Sequence, residues 1–217
     1  TMLATKVLAS GITHLTDARY FASWEVDYLA FPLGDGVTEA ISWDYLNALR
    51  EWVEGPEIVA EIGRVDDGTA WTEILATHNI KTVLLYEDTA DEVAETMKAA
   101  GLTVICLLMI DQFQTGEDVQ ATIAEHPATD LFILGLEDWV TYQDVAEGAI
   151  LSIEALDQIS RTHQCLLQLN LGGEDRKAIK DRHPIAGFAV RGSSEEKVGY
   201  KSFDDIDDLF EGLEVFE

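Results

Sequence analysis

The sequence predicts an α/β fold, a single (β/α)8 TIM barrel spanning residues 1–217, on three observations. Short runs rich in Val, Ile, Leu and Phe recur eight times, each is followed by an amphipathic, acid-rich stretch, and 217 residues suit one closed barrel of roughly 200–250 residues. No Pro-, Gly- or Ser-rich linker and no low-complexity block divides the chain.

The strand-like runs are Lys6–Ser10, Asp27–Leu33, Glu57–Ile62, Lys81–Tyr86, Leu102–Ile110, Asp130–Leu134, Gln164–Leu169 and Ile185–Val190. Their near-continuous hydrophobicity marks strands covered on both faces, and strands joined through helices must run parallel. Between them, apolar residues at three- and four-residue spacing mark helices, as in Trp43, Leu46, Leu49 and Val53, or Val93, Met97 and Ala100. Helix starts are signalled by Thr16-Asp17 before Ala18, by Ser42 before Trp43, by Ser152 before Ile153 and by Ser202 before Asp204-Asp205. Gly101 ends a helix just ahead of the fifth strand. Leu136 to Leu151, with Trp139 and Tyr142, is long for a βα connection and reads either as a lid or as an ordered packing loop.

Composition narrows the classes of partner. A formal charge of -27 repels polyanions, so neither nucleic acid nor an anionic membrane surface is an expected partner. No apolar stretch approaches the ~20 residues that cross a bilayer. Thr1 to Val7 lacks the basic flank and apolar core of a secretory signal, and a cytoplasmic location is expected. Cys106 and Cys165 lie inside apolar runs and read as buried structural thiols. The charge is uneven: residues 1–160 carry six Lys and Arg against 29 Asp and Glu, whereas 161–203 carry eight against five.

Barrel closure decides where function can sit, because side chains at the C-terminal strand ends and in the loops that follow form the active face. The candidates in strand order are Ser10 and His14, Asp35, Arg64, Glu87 and Asp88, Asp111, Glu137 and Asp138, Asn170 and Arg191, with Glu61 one step inside. Ser10, Asp111, Glu137 and Asp138 are the candidate catalytic residues, and Glu61 and Arg64 the candidate substrate contacts. A ring of carboxylates suits a hard divalent cation, but acids at loop starts also arise as N-caps and solvated ends in so acidic a chain. No His and Cys spacing suggests zinc, and no metal and no cofactor is expected. His78, His126, His163 and His183 read as structural. Two Gly-rich turns carry the stronger signal, Leu171-Gly172-Gly173-Glu174 after the seventh strand and Arg191-Gly192-Ser193-Ser194 after the eighth. Gly172, Gly173, Gly192 and Ser193 put backbone N–H groups within reach of an anion, Arg191 adds charge, and barrels often bind phosphate there. The alternative is that these glycines serve only tight turns. The expected partner is a phosphorylated small molecule.

The segments Ser10-Gly11-Ile12-Thr13, Asp17-Ala18 and Asp27-Tyr28-Leu29-Ala30-Phe31 resemble the opening of phosphoribosylanthranilate isomerase, with its K-x-C-G-I-T, D-A and G-A-D-x-x-G-F pattern. Leu171-Gly172-Gly173, Gly192-Ser193-Ser194-Glu195 and Gly199-Tyr200-Lys201 look like its glycine turn and its S-S-G-V-E-x-x-x-G-x-K-D ending. The resemblance spans nearly the whole chain and implies the same barrel and the same phosphate-binding turns. The family's working residues are replaced. Its general-base cysteine corresponds to Ser10, its acid aspartate to Gly135, its substrate-binding arginine falls near Glu39, and its strand-eight aspartate near Ala189.

The resulting expectation is a divergent phosphoribosylanthranilate-isomerase-like barrel acting as a sugar-phosphate isomerase or lyase. The alternatives are a non-catalytic ligand-binding or interaction barrel, with Trp139 at its contact surface, and the family's own reaction in tryptophan biosynthesis run with replaced residues.

Overall fold

A computed structural model describes residues 2–170, 176–192 and 203–215. Its strands are β1 (Met2–Leu3), β2 (Lys6–Ser10), β3 (Tyr28–Pro32), β4 (Glu57–Gly63), β5 (Thr82–Tyr86), β6 (Thr103–Ile110), β7 (Leu131–Leu136), β8 (Cys165–Gln168), β9 (Gly187–Arg191) and β10 (Glu214–Val215). The helices are α1 (Leu15–Ser23), α2 (Trp43–Arg50), α3 (Gly68–Thr77), α4 (Asp91–Ala99), α5 (Gly116–Ala124), α6 (Tyr142–Ala146), α7 (Ile153–Thr162), α8 (Arg176–Arg182) and α9 (Asp204–Leu213). Strands β2 to β9 pair in parallel in chain order, and β9 returns to β2 to close the barrel. Each of the eight predicted runs overlaps one barrel strand, with β4, β7 and β9 running one or two residues past the predicted end.

Strand alternation sorts the side chains into two cores. Leu8, Ala30, Val59, Leu84, Ile105, Ile133, Leu166 and Ala189 fill the barrel interior, one from each strand. Residues of opposite parity, such as Val7, Phe31, Ala60, Leu85, Phe132 and Phe188, face the helices and join the larger outer core. Leu46 and Leu49 of α2 and Val93 and Met97 of α4 are buried there, as their spacing requires. Cys106 and Cys165 are free, buried thiols, and burial pushes both up to about 12, so they are inert at neutral pH.

Capping accounts for several helix starts. Ser42 and Ser152 accept the N–H groups of Tyr45 and Ala155, each at 3.2 Å. Helix α1 begins earlier than expected, at Leu15 behind His14, which leaves Asp17 fully buried in its first turn. Ser202 lies outside the described residues.

Two features were not expected. β1 and β10 pair antiparallel, and Ala4 N–H reaches Leu213 O at 2.8 Å, which ties the two ends of the chain together. The long segment after β7 contains α6, whose cap Thr141 and Asp144 satisfy each other's backbone N–H groups. Val140, Val145, Ile150 and Leu151 of this segment are buried, so it is an ordered packing loop. Tyr142 Oη meets His183 Nε2 at 2.7 Å, and His183 Nδ1 meets Asp157 at 2.7 Å. This buried chain fastens the loop to α7 and to the end of α8, which gives His183 its structural role.

Candidate functional site

Above the apolar filling, the last inward-facing residue of each strand lines the barrel mouth. From β2 round to β9 these are Ser10, Pro32, Glu61, Tyr86, Met109, Gly135, Gln168 and Arg191. The layer below them is aliphatic, so the polar character begins one step from the top. Register brings Ser10 beside Arg191 and Pro32 beside Glu61.

Glu61 is the buried charge of this layer, with 1% of its surface exposed. Tyr86 Oη donates to Glu61 Oε1 at 2.7 Å, whereas Oε2 meets no hydrogen-bond donor. Burial and the Glu61 charge push the Tyr86 phenol well above its ordinary value of about 10, against a smaller opposing pull from Arg191. Tyr86 is therefore a neutral donor at physiological pH and Glu61 its acceptor. The pair is placed by a kink in β4, where pairing with β5 shifts between Glu61 and Gly63. Gly63 takes φ +68°, and a Cβ there would come within 2.9 Å of Val37 and 3.2 Å of the Tyr86 ring. Thr89 Oγ1 fastens the kink by donating to Gly63 O and accepting from Val65 N, both at 3.2 Å.

On the other half of the mouth, the described residues border a cavity. β8 and β9 pair only at Leu166 with Gly187 and Leu167 with Phe188. Above those pairs lies a cavity of about 520 Å³, bounded among the described residues by Gln168, Asn170, Arg191, Asp138 and α9 through Ile206 and Leu209. Arg191 is exposed and ends β9. Gly192 N–H is donated to Ser10 O at 2.8 Å, so this amide is already satisfied and does not serve an anion as its sequence position suggested. The glycine is needed for close approach, since a Cβ would lie 3.0 Å from Asp17 Oδ2 and 3.2 Å from Gly11 O. Gly172, Gly173 and Ser193 lie outside the described residues.

The remaining candidates are dispersed. Asp111 is exposed and accepts the N–H groups of Phe113 and Gln114, which makes it a turn residue. Glu137 is exposed and accepts from Trp139 Nε1 at 2.6 Å. Asp138 is exposed and reaches the cavity. Arg64 points outward and pairs with Asp66 at 3.4 Å. Ser10 is buried, with Oγ 3.4 Å from Val190 O. Asp35 and Asp88 are exposed, and Glu87 is half-buried with its pKa raised by desolvation. Among the described residues no group of three or more His, Cys, Asp or Glu side chains is arranged to hold a metal ion, and no helix is long and apolar enough to cross a membrane.

Reading along the loops missed Tyr86 and Gln168. Both are the last inward residues of their strands, and period-two parity counted from Leu84 and Leu166 identifies them. Parity also fixes the surroundings of Gly135, where a Cβ would lie 2.9 Å from Leu107 and 3.0 Å from Leu108 O. A side chain there requires the Leu107 side chain to move and the β6 backbone to give by a few tenths of an ångström.

These features define a (β/α)8 barrel with a buried acid–phenol pair on one side of its mouth and a cavity on the other. The solved structures that share its fold include phosphoribosylanthranilate isomerase from Thermotoga maritima, with TM-score 0.74 at 15% identity over 96% of this chain and 98% of that one. A phosphoribosylanthranilate isomerase in complex with a reduced carboxyphenylamino-deoxyribulose 5-phosphate matches with TM-score 0.70 at 15% identity, covering 96% and 98% of the two chains. A 3-hexulose-6-phosphate synthase matches with TM-score 0.60 at 14% identity over 96% and 97%. At such identities the likeness is one of fold. No family model matches the chain, and no curated protein matches it in sequence.

Proposed function

We propose that the barrel binds a phosphorylated small molecule at the exits of β8 and β9, and that it acts as an isomerase or lyase on a sugar-phosphate-like substrate. The observation that carries this reading is the cavity of about 520 Å³ beside Arg191, above the point where β8 and β9 stop pairing. Its volume is that of a small-molecule site, and Arg191 supplies a forked cationic donor suited to phosphate. The Gly172-Gly173 turn and Ser193 fall in the same two loops by sequence. Two of the fold neighbours support the class by name, one holding a deoxyribulose 5-phosphate derivative and the other being a hexulose-phosphate synthase.

The family's own rearrangement is disfavoured by the residues present. Ser10 stands where that family has its base, Glu39 brings negative charge near the position of a substrate-binding arginine, and Gly135, crowded by Leu107 and Leu108 O, carries no acid.

Thermal-shift titration with ribulose 5-phosphate and fructose 6-phosphate, against their unphosphorylated sugars, tests the reading. A phosphorylated compound at 100 times its dissociation constant adds about 2.7 kcal/mol of stability, whereas its parent sugar adds none. Arg191→Met should remove the difference. Equal behaviour of phosphorylated and unphosphorylated sugars rules the site out, and growth of a tryptophan auxotroph carrying this chain would restore the family's reaction.

A further inference from the structure

We infer that the ligand of the cavity above β8 and β9 carries a cationic amine as well as a phosphate, making it an amino-sugar phosphate, and that Asp138 is the residue that selects the amine. The inference rests on the ligand site proposed above and names the class of compound that fits it.

The charges of the lining are the first argument. Among the described residues the cavity is bordered by one cation, Arg191, and by two carboxylates, Asp138 and Asp208. A phosphate drawn to Arg191 adds negative charge to a space that already holds two acids, in a chain of net charge -27. Like charges brought together in a binding site weaken the complex, and complementary ones select the partner. An amine on the ligand supplies the missing positive charge. Sugar hydroxyls do not need the acids, because Gln168 and Asn170 border the same space and carboxamides both donate and accept hydrogen bonds. A carboxylate only accepts, and its strongest bonds come from charged donors.

Availability is the second argument. Neither the Asp138 nor the Asp208 side chain has a hydrogen bond or ion pair with another described residue. Their neighbours in the chain are engaged: Glu137 accepts from Trp139 Nε1 at 2.6 Å, and Asp207 accepts from Tyr20 Oη. In each segment the acid that borders the cavity is the one left for a ligand. The segment that carries Asp138 is also held in place, since Asn170 N–H donates to Val140 O at 2.8 Å and ties it to the exit of β8.

Placement is the third argument, and it singles out Asp138. Asp138 follows β7, and β8 alone separates β7 from β9 in the barrel. At about 4.8 Å per strand the exits of β7 and β9 stand roughly 10 Å apart, a gap that a hexose phosphate can bridge. A ligand whose phosphate meets Arg191 therefore turns its far end toward Asp138. Asp208 belongs to α9, the helix that follows Arg191 in the chain, and adds to the negative field of the cavity.

Isothermal titration with glucosamine 6-phosphate, glucose 6-phosphate and N-acetylglucosamine 6-phosphate tests this, with fructose 6-phosphate run alongside. The first three share a phosphate and differ at one carbon, which bears an amine, a hydroxyl or an uncharged amide. Measurement below neutral pH keeps the amine protonated. EDTA in the buffer prevents a metal ion from supplying the charge. Glucosamine 6-phosphate should bind ~10-fold or more tightly than the other compounds, the range of a charge-assisted hydrogen bond. Asp138→Asn should erase that preference by weakening glucosamine 6-phosphate while leaving glucose 6-phosphate unchanged or tighter. A merely structural role would weaken all of them alike. Equal affinities, tighter binding of any compound without the amine, or a preference that survives Asp138→Asn overturns the inference but spares the phosphate site. Failure of all four compounds to bind overturns the phosphate site and the inference with it.

Discussion

The two sides of the barrel mouth solve different problems. On the β4–β5 side, side chains close on one another: Glu61 is sealed under Tyr86, and Gly63 and Thr89 hold the kink that brings them together. On the β8–β9 side the strands stop pairing early and leave space bordered by an exposed Arg191. The first arrangement couples a polar pair to the folding of the barrel. The second, among the described residues, ties few side chains together, as the proposed ligand site requires. A change on the closed side should therefore register in stability, and a change on the open side in binding.

The largest expected effect is at the kink. Gly63→Ala forces a side chain into the left-handed region and into Val37 and the Tyr86 ring, and should cost about 2–4 kcal/mol in urea unfolding. A loss below 0.5 kcal/mol would mean that the kink does not hold the pair. Gly135→Asp, which restores the acid of the resembling family, should destabilise by about 1–3 kcal/mol through overpacking against β6 and should not rescue a tryptophan auxotroph. Tyr86→Phe removes the donor to a buried carboxylate, and a loss of about 1–3 kcal/mol is expected. Arg191→Met should change the stability of the ligand-free protein by no more than about 0.5 kcal/mol, as for other exposed positions, while abolishing the response to sugar phosphates. A large stability loss at Arg191 would erase the contrast between the two sides.

The smallest effect is electrostatic. Tyr86 ionises at higher pH in the folded state than in the unfolded chain, so its contribution is fully present below about pH 10 and is lost as pH rises toward the folded value. Tyr20 is raised as well, by burial and its bond to Asp207, so Tyr86→Phe should reduce the alkaline fall in stability without removing it. Because Arg191 favours the phenolate, Arg191→Met should move the Tyr86 transition further up in a tyrosinate absorbance titration. No movement would show that the two sides of the mouth are electrically independent.

The eight-strand barrel was legible in the sequence because each strand is buried on both faces and must be apolar throughout, and each helix repeats its buried face at a spacing visible in one dimension. The end of each strand was legible to within two residues, and with it the place of Arg191 at the end of β9. What one dimension did not reveal was which end residues turn inward. That follows from pleat parity set by the interior layer, and it adds to Glu61, already a candidate in the sequence, its partner Tyr86, 25 residues away in the chain. The same holds for Gly192, whose N–H is taken by Ser10 from the opposite end of the sequence. Local pattern determined which elements form, since burial on a known face is a property of neighbouring residues. Only closure of the barrel decided which polar groups meet, because contacts across the mouth depend on register between strands and on how the ring is completed.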